Sequence, residues 1–329
     1  MAVFALATCC AGAKESEMRR EPPKGNDASD TRHLTTKDRI GDLLGHSAFA
    51  GFAPLLLPWD GRAYDERMPL TDIGSLLPYH SQVRPDVVVG ALNRMIDGAT
   101  NGSRTFYHLY GDEQRREDPD RERTGLFFFR GRPGAPFAMI SPGGGFSYVG
   151  SLHEGFPYAV EISREGYNAF VLRYRAGRGA DVATQDLAAA IAFVRRNAKD
   201  LDVDTEGYSV WGSSAGARMA AFIGSYGTAR YGADEDSKPA AVVMAYTGHS
   251  DVSTDEPPTF VVVGERDGIA PPSSMERRVT ALRNIGTIVE YRKFDDVGHG
   301  FGLGTGTSAE GWDALAMRFW ERAIRSRRL

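Results

Sequence analysis

The chain has 329 residues, 42% of them hydrophobic and 25% charged, an ordinary globular composition for one large domain or two small ones. Its net charge of −4 gives no overall attraction to nucleic acid or to an anionic membrane surface. The longest apolar runs, such as Ala53 to Trp59 and Pro258 to Val263, fall far below the ~20 residues of a membrane span, so the expected partner is a small-molecule or polymer substrate.

Met1 to Cys9 resemble the tail of a bacterial lipoprotein signal, with Leu6 three residues before Cys9. No basic segment precedes them, the apolar stretch is short and Thr8 is not the usual residue before such a cysteine. A remnant of an export signal and an unstructured end therefore stand as equal readings, and a cytoplasmic location is the default expectation. The two cysteines, Cys9 and Cys10, are adjacent, so they cannot staple the fold, and no thiol or metal chemistry is expected of them. Residues 11–33, rich in charge, Pro, Ser and Asp, read as a disordered linker, so that 1–33 form a leading segment. Residues 34–102 read as an N-terminal extension with helices near Thr36 to Leu44 and Arg84 to Asp97, separated by Pro- and Gly-rich connections and carrying His80. It is expected to pack over the main domain and to form part of the substrate cleft.

From Ser103 to the end, residues 103–329, short β-branched or aromatic runs alternate with longer amphipathic stretches, the pattern of a doubly wound α/β sheet. The expected strands are Thr105 to Tyr110, Leu126 to Arg130, Phe137 to Ser141, Ala169 to Tyr174, Tyr208 to Trp211, Ala241 to Ala245, Thr259 to Gly264 and Ile288 to Phe294. Helical spacing covers Phe156 to Glu165, Val182 to Ala198, Ala215 to Tyr226, Ser274 to Ile285 and Ala309 to Arg325. Parallel strands joined by helices place ligands at their carboxyl ends, and four such ends carry suggestive residues.

Val210-Trp211-Gly212-Ser213-Ser214-Ala215-Gly216 is an apolar strand ending in Gly-x-Ser-x-Gly and running into a helix, the nucleophile-elbow pattern that would expose Ser214. A serine hydroxyl needs a base, and the base an orienting acid. The run Thr259 to Gly264 opens into Glu265-Arg266-Asp267-Gly268, where Asp267 suits the acid and Glu265 is second choice. Phe294-Asp295-Asp296-Val297-Gly298-His299-Gly300 sets His299 between two glycines, which free the backbone to present the imidazole. Asp295 and Asp296 are near in sequence, although neighbours on one short loop usually point elsewhere. Pro142-Gly143-Gly144-Gly145-Phe146 follows the third strand. It lacks the P-loop lysine and the spaced dinucleotide fingerprint, so an oxyanion hole is the better reading, with the N–H groups of Gly144, Gly145 and Ala215 contributing about 3 kcal/mol per donor.

These residues together resemble the esterase/lipase-type α/β-hydrolases, in particular hormone-sensitive-lipase-like carboxylesterases and bacterial sugar-ester acetylesterases. The resemblance covers about Ser103 to Arg328 and implies an α/β-hydrolase fold: a mostly parallel eight-stranded sheet with helices on both faces, here with an N-terminal extension. Lipase-like relatives often carry His before the three glycines, and this chain has Pro142, which leans the substrate toward a decorated sugar. Phe146, Tyr148, His153 and Ser213 stand as candidate substrate contacts; for Tyr148 and His153, packing or capping of the next helix is an equal reading. The implied chemistry is acyl transfer on short-chain esters through an acyl-enzyme on Ser214, with no metal or organic cofactor.

Other readings use the same residues. A prolyl-oligopeptidase-type peptidase shares this triad, but about a hundred leading residues cannot hold its propeller. A thioesterase or lipase differs in chain-length preference. A non-catalytic binding protein of the same fold usually lacks a triad member, and all three are here.

Overall fold

The computed structural model describes residues 31–327; the readings of Met1 to Cys10, and of the linker up to residue 30, lie outside the described residues. The apolar runs form eight strands: β1 (Phe106–Tyr107), β2 (Gly125–Phe129), β3 (Pro136–Ser141), β4 (Asn168–Arg173), β5 (Asp204–Ser213), β6 (Ala241–Ala245), β7 (Thr259–Gly264) and β8 (Val289–Phe294). They join one sheet in the order β1-β2-β4-β3-β5-β6-β7-β8. β2 runs antiparallel to both β1 and β4, and β3 to β8 are parallel.

The nine α-helices of the described residues are α1 (Ile40–Gly45), α2 (Pro85–Thr100), α3 (Asp112–Glu117), α4 (Phe156–Arg164), α5 (Gly179–Arg196), α6 (Ala198–Leu201), α7 (Ala215–Tyr226), α8 (Pro272–Asn284) and α9 (Trp312–Arg327). Pro85 and Pro272 stand in the first turns of α2 and α8, where the missing N–H costs no intrahelical bond. None of the helices is long and apolar enough to cross a membrane.

Both faces of the sheet are covered, so its inner strands read as unbroken apolar runs. Alternate side chains enter two cores. Phe127, Ile140, Val171, Trp211 and Val243 point into one, with Leu92 of α2, Ile162 of α4 and Trp320 of α9. Phe128, Met139, Phe170, Val210 and Val242 point into the other, with Leu187 of α5, Met219 of α7 and Met275 of α8.

Residues 34–102 contribute Ile40, Leu43, Phe49, Ile73 and Leu92 to the first core. They are also fastened by charge: Arg173 of β4 is fully buried and donates to Asp60 at 2.5 Å and to the Pro58 carbonyl at 3.0 Å. Several elements differ from the sequence expectation: β5 is longer, running from Asp204 to Ser213, α9 starts at Trp312 rather than Ala309, and α3 and α6 have no counterpart in it. α1 begins at Ile40 rather than Thr36, because Asp38 takes hydrogen bonds from the N–H and hydroxyl of Thr35 and holds that stretch as a turn. β1 keeps two residues of an expected six; Tyr110 turns away to donate to Asp186 at 2.5 Å.

Candidate active site

β5 ends at Ser213, and the chain turns through Ser214 into α7. Ser214 has φ 51° and ψ −115°, a conformation that costs a non-glycine residue on the order of 1–3 kcal/mol and concentrates at functional sites. The flanking glycines are forced by contact: a Cβ on Gly212 would sit 2.2 Å from the Gly216 carbonyl oxygen, and one on Gly216 would sit 1.9 Å from that of Ser141.

The loops after β7 and β8 bring the next two groups to this turn. His299 Nε2 lies 2.8 Å from Ser214 Oγ, and His299 Nδ1 lies 2.8 Å from Asp267 Oδ2. Asp267 is held in turn by the N–H groups of Ile269 and Ala270, at 2.9 and 2.7 Å to Oδ1. With a carboxylate at Nδ1, the ring proton belongs there, which leaves Nε2 to accept the Ser214 hydroxyl proton. Glu265 is exposed, and Asp296 instead accepts from the N–H and hydroxyl of Ser308.

Beside Ser214 lies the glycine loop. Gly144 takes φ 129°, and a Cβ there would strike the Tyr148 carbonyl oxygen at 2.1 Å. The Gly143 N–H is already used, donating to Glu154 Oε2 at 2.7 Å. The N–H groups of Gly144 and Gly145 donate to no group among the described residues, and that of Ala215 stands at the first position of α7, where no intrahelical acceptor exists. The arrangement offers a hydroxyl with a base at hydrogen-bond distance, an acid behind the base and unclaimed donors alongside. Chemically, that can activate an oxygen nucleophile and hold a negative oxygen.

A cavity of about 430 Å³ opens at Ser214, lined also by Gly145, Phe146, Ala215, Arg218, Thr247 and Asp251. His249 also lines it; burial, with Arg278 and Arg218 nearby, pushes its pKa down to about 4. At neutral pH it therefore presents an uncharged ring. Of the four expected substrate contacts, Phe146 alone faces this cavity. Tyr148, His153 and Ser213 are buried behind it and bonded internally: Tyr148 Oη contacts His80 at 2.8 Å, His153 Nε2 contacts the Gly300 carbonyl at 3.0 Å and Ser213 Oγ contacts Tyr158 at 3.1 Å. Their position in sequence next to the loop and the serine carried the expectation, but the strand's alternation turns Ser213 inward and the turn after Gly145 folds Tyr148 under it.

Sequence reasoning missed three supports of the site. Ser81 donates its hydroxyl to the His299 carbonyl at 2.7 Å, so the N-terminal segment braces the histidine loop. Tyr246, with the positive φ of 37°, packs its ring on His299 at 5.2 Å and donates to Glu154 at 2.8 Å. It directly follows β6, a strand end that the rule for parallel sheets already marks. Glu154 itself is fully buried and gives no sequence signal. Among the described residues, no group of three His, Cys, Asp or Glu is placed to hold a metal ion.

Strand order, elbow and strand-end loops together make an α/β-hydrolase fold. A family model, BD-FAE, matches residues 136–248, the stretch from β3 to just beyond β6 that holds the glycine triplet and Ser214. Among solved structures, the acetyl ester-xyloside bifunctional hydrolase of Caldicellulosiruptor lactoaceticus superposes with a TM-score of 0.58 at 22% identity, covering 66% of this chain and 95% of that one. Endo-1,4-beta-xylanase B of Butyrivibrio fibrisolvens is 25% identical over 53% of this chain and 34% of its own length. Acetylxylan esterase of Xylanibacter ruminicola is 22% identical over 50% of this chain and 40% of its own. The chain thus spans well under half the length of these two curated relatives.

Proposed function

We propose that the chain is a serine carboxylic-ester hydrolase that removes short acyl groups, acetyl or similar, from sugars or polysaccharides. The observation that carries this reading is the unbroken line from Ser214 Oγ through His299 to Asp267, both links 2.8 Å, at the mouth of an open cavity. His299 takes the Ser214 proton, and the alkoxide attacks the ester carbonyl. The N–H groups of Gly144, Gly145 and Ala215 hold the resulting oxyanion, and His299 then protonates the leaving alcohol. Water repeats the sequence on the acyl-enzyme, while Asp267 fixes the His299 tautomer and stabilises its cation.

The walls of the cavity support a hydroxyl-rich alcohol part. Arg218, Thr247, Ser250 and Asp251 line it, where a long acyl chain would need continuous apolar surface. The names of the relatives, an acetylxylan esterase and an acetyl ester-xyloside hydrolase among them, point the same way.

The test is hydrolysis of p-nitrophenyl esters from acetyl to palmitoyl, followed by acetylated xylo-oligosaccharides, with the Ser214→Ala chain alongside. Serine-dependent cleavage of the short esters and of the oligosaccharide acetates is the expected result. Preference for the palmitoyl ester overturns the short-acyl reading, and no cleavage of any ester by the folded chain overturns ester hydrolysis.

A further inference from the structure

Glu154 is a fully buried carboxylate that the acyl transfer proposed above does not use. Removing an ionised carboxylate from water costs several kcal/mol unless partners replace its hydration. Here they do. Oε2 accepts from the Gly143 N–H at 2.7 Å, Oε1 accepts from Tyr246 Oη at 2.8 Å, and His80 Nε2 lies 3.1 Å from Oε2. The histidine is itself aligned by a relay: the Tyr79 N–H donates to Tyr148 Oη at 3.1 Å, and that hydroxyl lies 2.8 Å from His80 Nδ1. The Tyr148 hydroxyl holds the ring at Nδ1, and Nε2 lies 3.1 Å from the carboxylate without an aligned hydrogen bond.

The location is what needs explaining. Glu154 grips the peptide immediately before the N–H groups of Gly144 and Gly145, and an anion there opposes the charge that would develop on a substrate oxygen. Three consecutive glycines leave each peptide free to rotate, so an unanchored loop would aim its donors only part of the time. The rest of the loop is gripped as well: the Gly143 carbonyl accepts from the Gly150 N–H at 2.9 Å, and the Pro142 carbonyl from Tyr174 Oη at 3.0 Å. Glu154 supplies the grip on the N–H side, and His80, reaching in from the N-terminal segment, packs against it with Nε2 3.1 Å from Oε2.

Resting on the ester-hydrolase reading, we infer that Glu154, backed by His80, is a positioning residue of the oxyanion loop, holding Gly143 so that Gly144 and Gly145 present their N–H groups to the tetrahedral intermediate.

A graded series tests this in the full chain. Glu154→Gln keeps a neutral acceptor for Gly143, whereas Glu154→Leu keeps bulk and removes the acceptor. Each is measured for kcat and KM on a short ester, for inhibition by a short alkylboronic acid that forms a tetrahedral adduct on serine, and for melting temperature. The expected result is a fall in kcat of about tenfold for Gln and about a hundredfold for Leu, with boronate affinity falling in parallel and KM nearly constant. A charge-assisted bond is roughly twice as strong as a neutral one, which is why the rescue by Gln is partial.

His80→Asn, expected to resemble Glu154→Gln and to add little to it in the double variant, carries the test if Glu154→Leu does not fold. A lowered melting temperature with kcat and boronate affinity retained overturns the inference, as does a change confined to KM. An unmodified chain inert to every ester and to the boronate overturns the ester reading and this inference together. An active chain with unaffected variants overturns this inference alone.

Discussion

Ser214, His299 and Asp267 come from three loops separated by 85 and 32 residues and are joined by two 2.8 Å links. Ser214→Ala and His299→Ala are each expected to abolish ester turnover in a chain that still folds. Asp267→Asn is expected to lower kcat by about 10³ to 10⁴, the size of effect seen when a triad acid can no longer fix the tautomer of its histidine. Glu265→Gln, at an exposed position, should change kcat less than twofold; if the effects at 265 and 267 were exchanged in a steady-state assay, the assigned acid would be wrong. Gly216 is fixed by contact rather than chemistry. With its Cβ 1.9 Å from the Ser141 carbonyl, Gly216→Ala is expected to force the β3 end away from α7 and to cost at least the ~1–3 kcal/mol of an overpacked core, read as a lower urea midpoint.

At the scale of elements, the loops of the site are fastened from two directions. The sheet holds their strand ends, and residues 79–81 of the N-terminal segment bond to the loop after β8 through Ser81 and border the glycine loop through Tyr79. The segment is tied to the sheet at a different place, where Asp60 meets the buried Arg173 of β4. Asp60→Asn leaves that guanidinium without its counter-charge, which costs about 3–5 kcal/mol when a buried pair is broken. The expected outcome is a melting temperature lower by roughly ten degrees or more, with kcat unchanged below the transition, because Asp60 touches neither Ser214 nor the loops around it. A fall in kcat at low temperature would show that this clamp reaches the site.

For the whole molecule, the buried histidines set the response to acid. Burial, reinforced by His80 beside it, pushes the pKa of His153 down to about 4, and burial pushes that of His249 equally low. In the unfolded chain such groups titrate near 6.5. Between about pH 6.5 and 4 the unfolded state therefore binds more protons, and stability falls as pH falls through that window. Glu154 extends the loss: burial raises its pKa, but His80, His153 and the Tyr246 hydroxyl together outweigh this and hold it at about 2, so its contribution is present above the ordinary glutamate range and declines toward pH 2. Melting temperature measured against pH should drop between 6.5 and 4, and His153→Gln should flatten part of that slope. A flat profile through this window would mean that these rings are solvated in the folded state.

Much of this protein was legible in one dimension. The eight apolar runs become eight strands, and α7 has the bounds read from Ala215 to Tyr226, because a sheet buried on both faces writes itself as short unbroken apolar segments and helical spacing between them is just as local. The serine turn was legible too, since its glycines answer to steric contacts within a few residues and two adjacent strands. The supports were not. Glu154, His80 and Ser81 carry no pattern of their own, and the contacts that tie His80 and Ser81 to the site span 68 to 218 residues. A buried carboxylate and a solvated one look the same in sequence, and Tyr148 and His153 turned inward for reasons of packing that no spacing records. The sequence by itself determined the strands, their order along the chain and which residues stand at the strand ends; only the tertiary structure decided which polar groups face the cavity and which brace it from behind, because that choice depends on the low-dielectric interior created when distant segments close together.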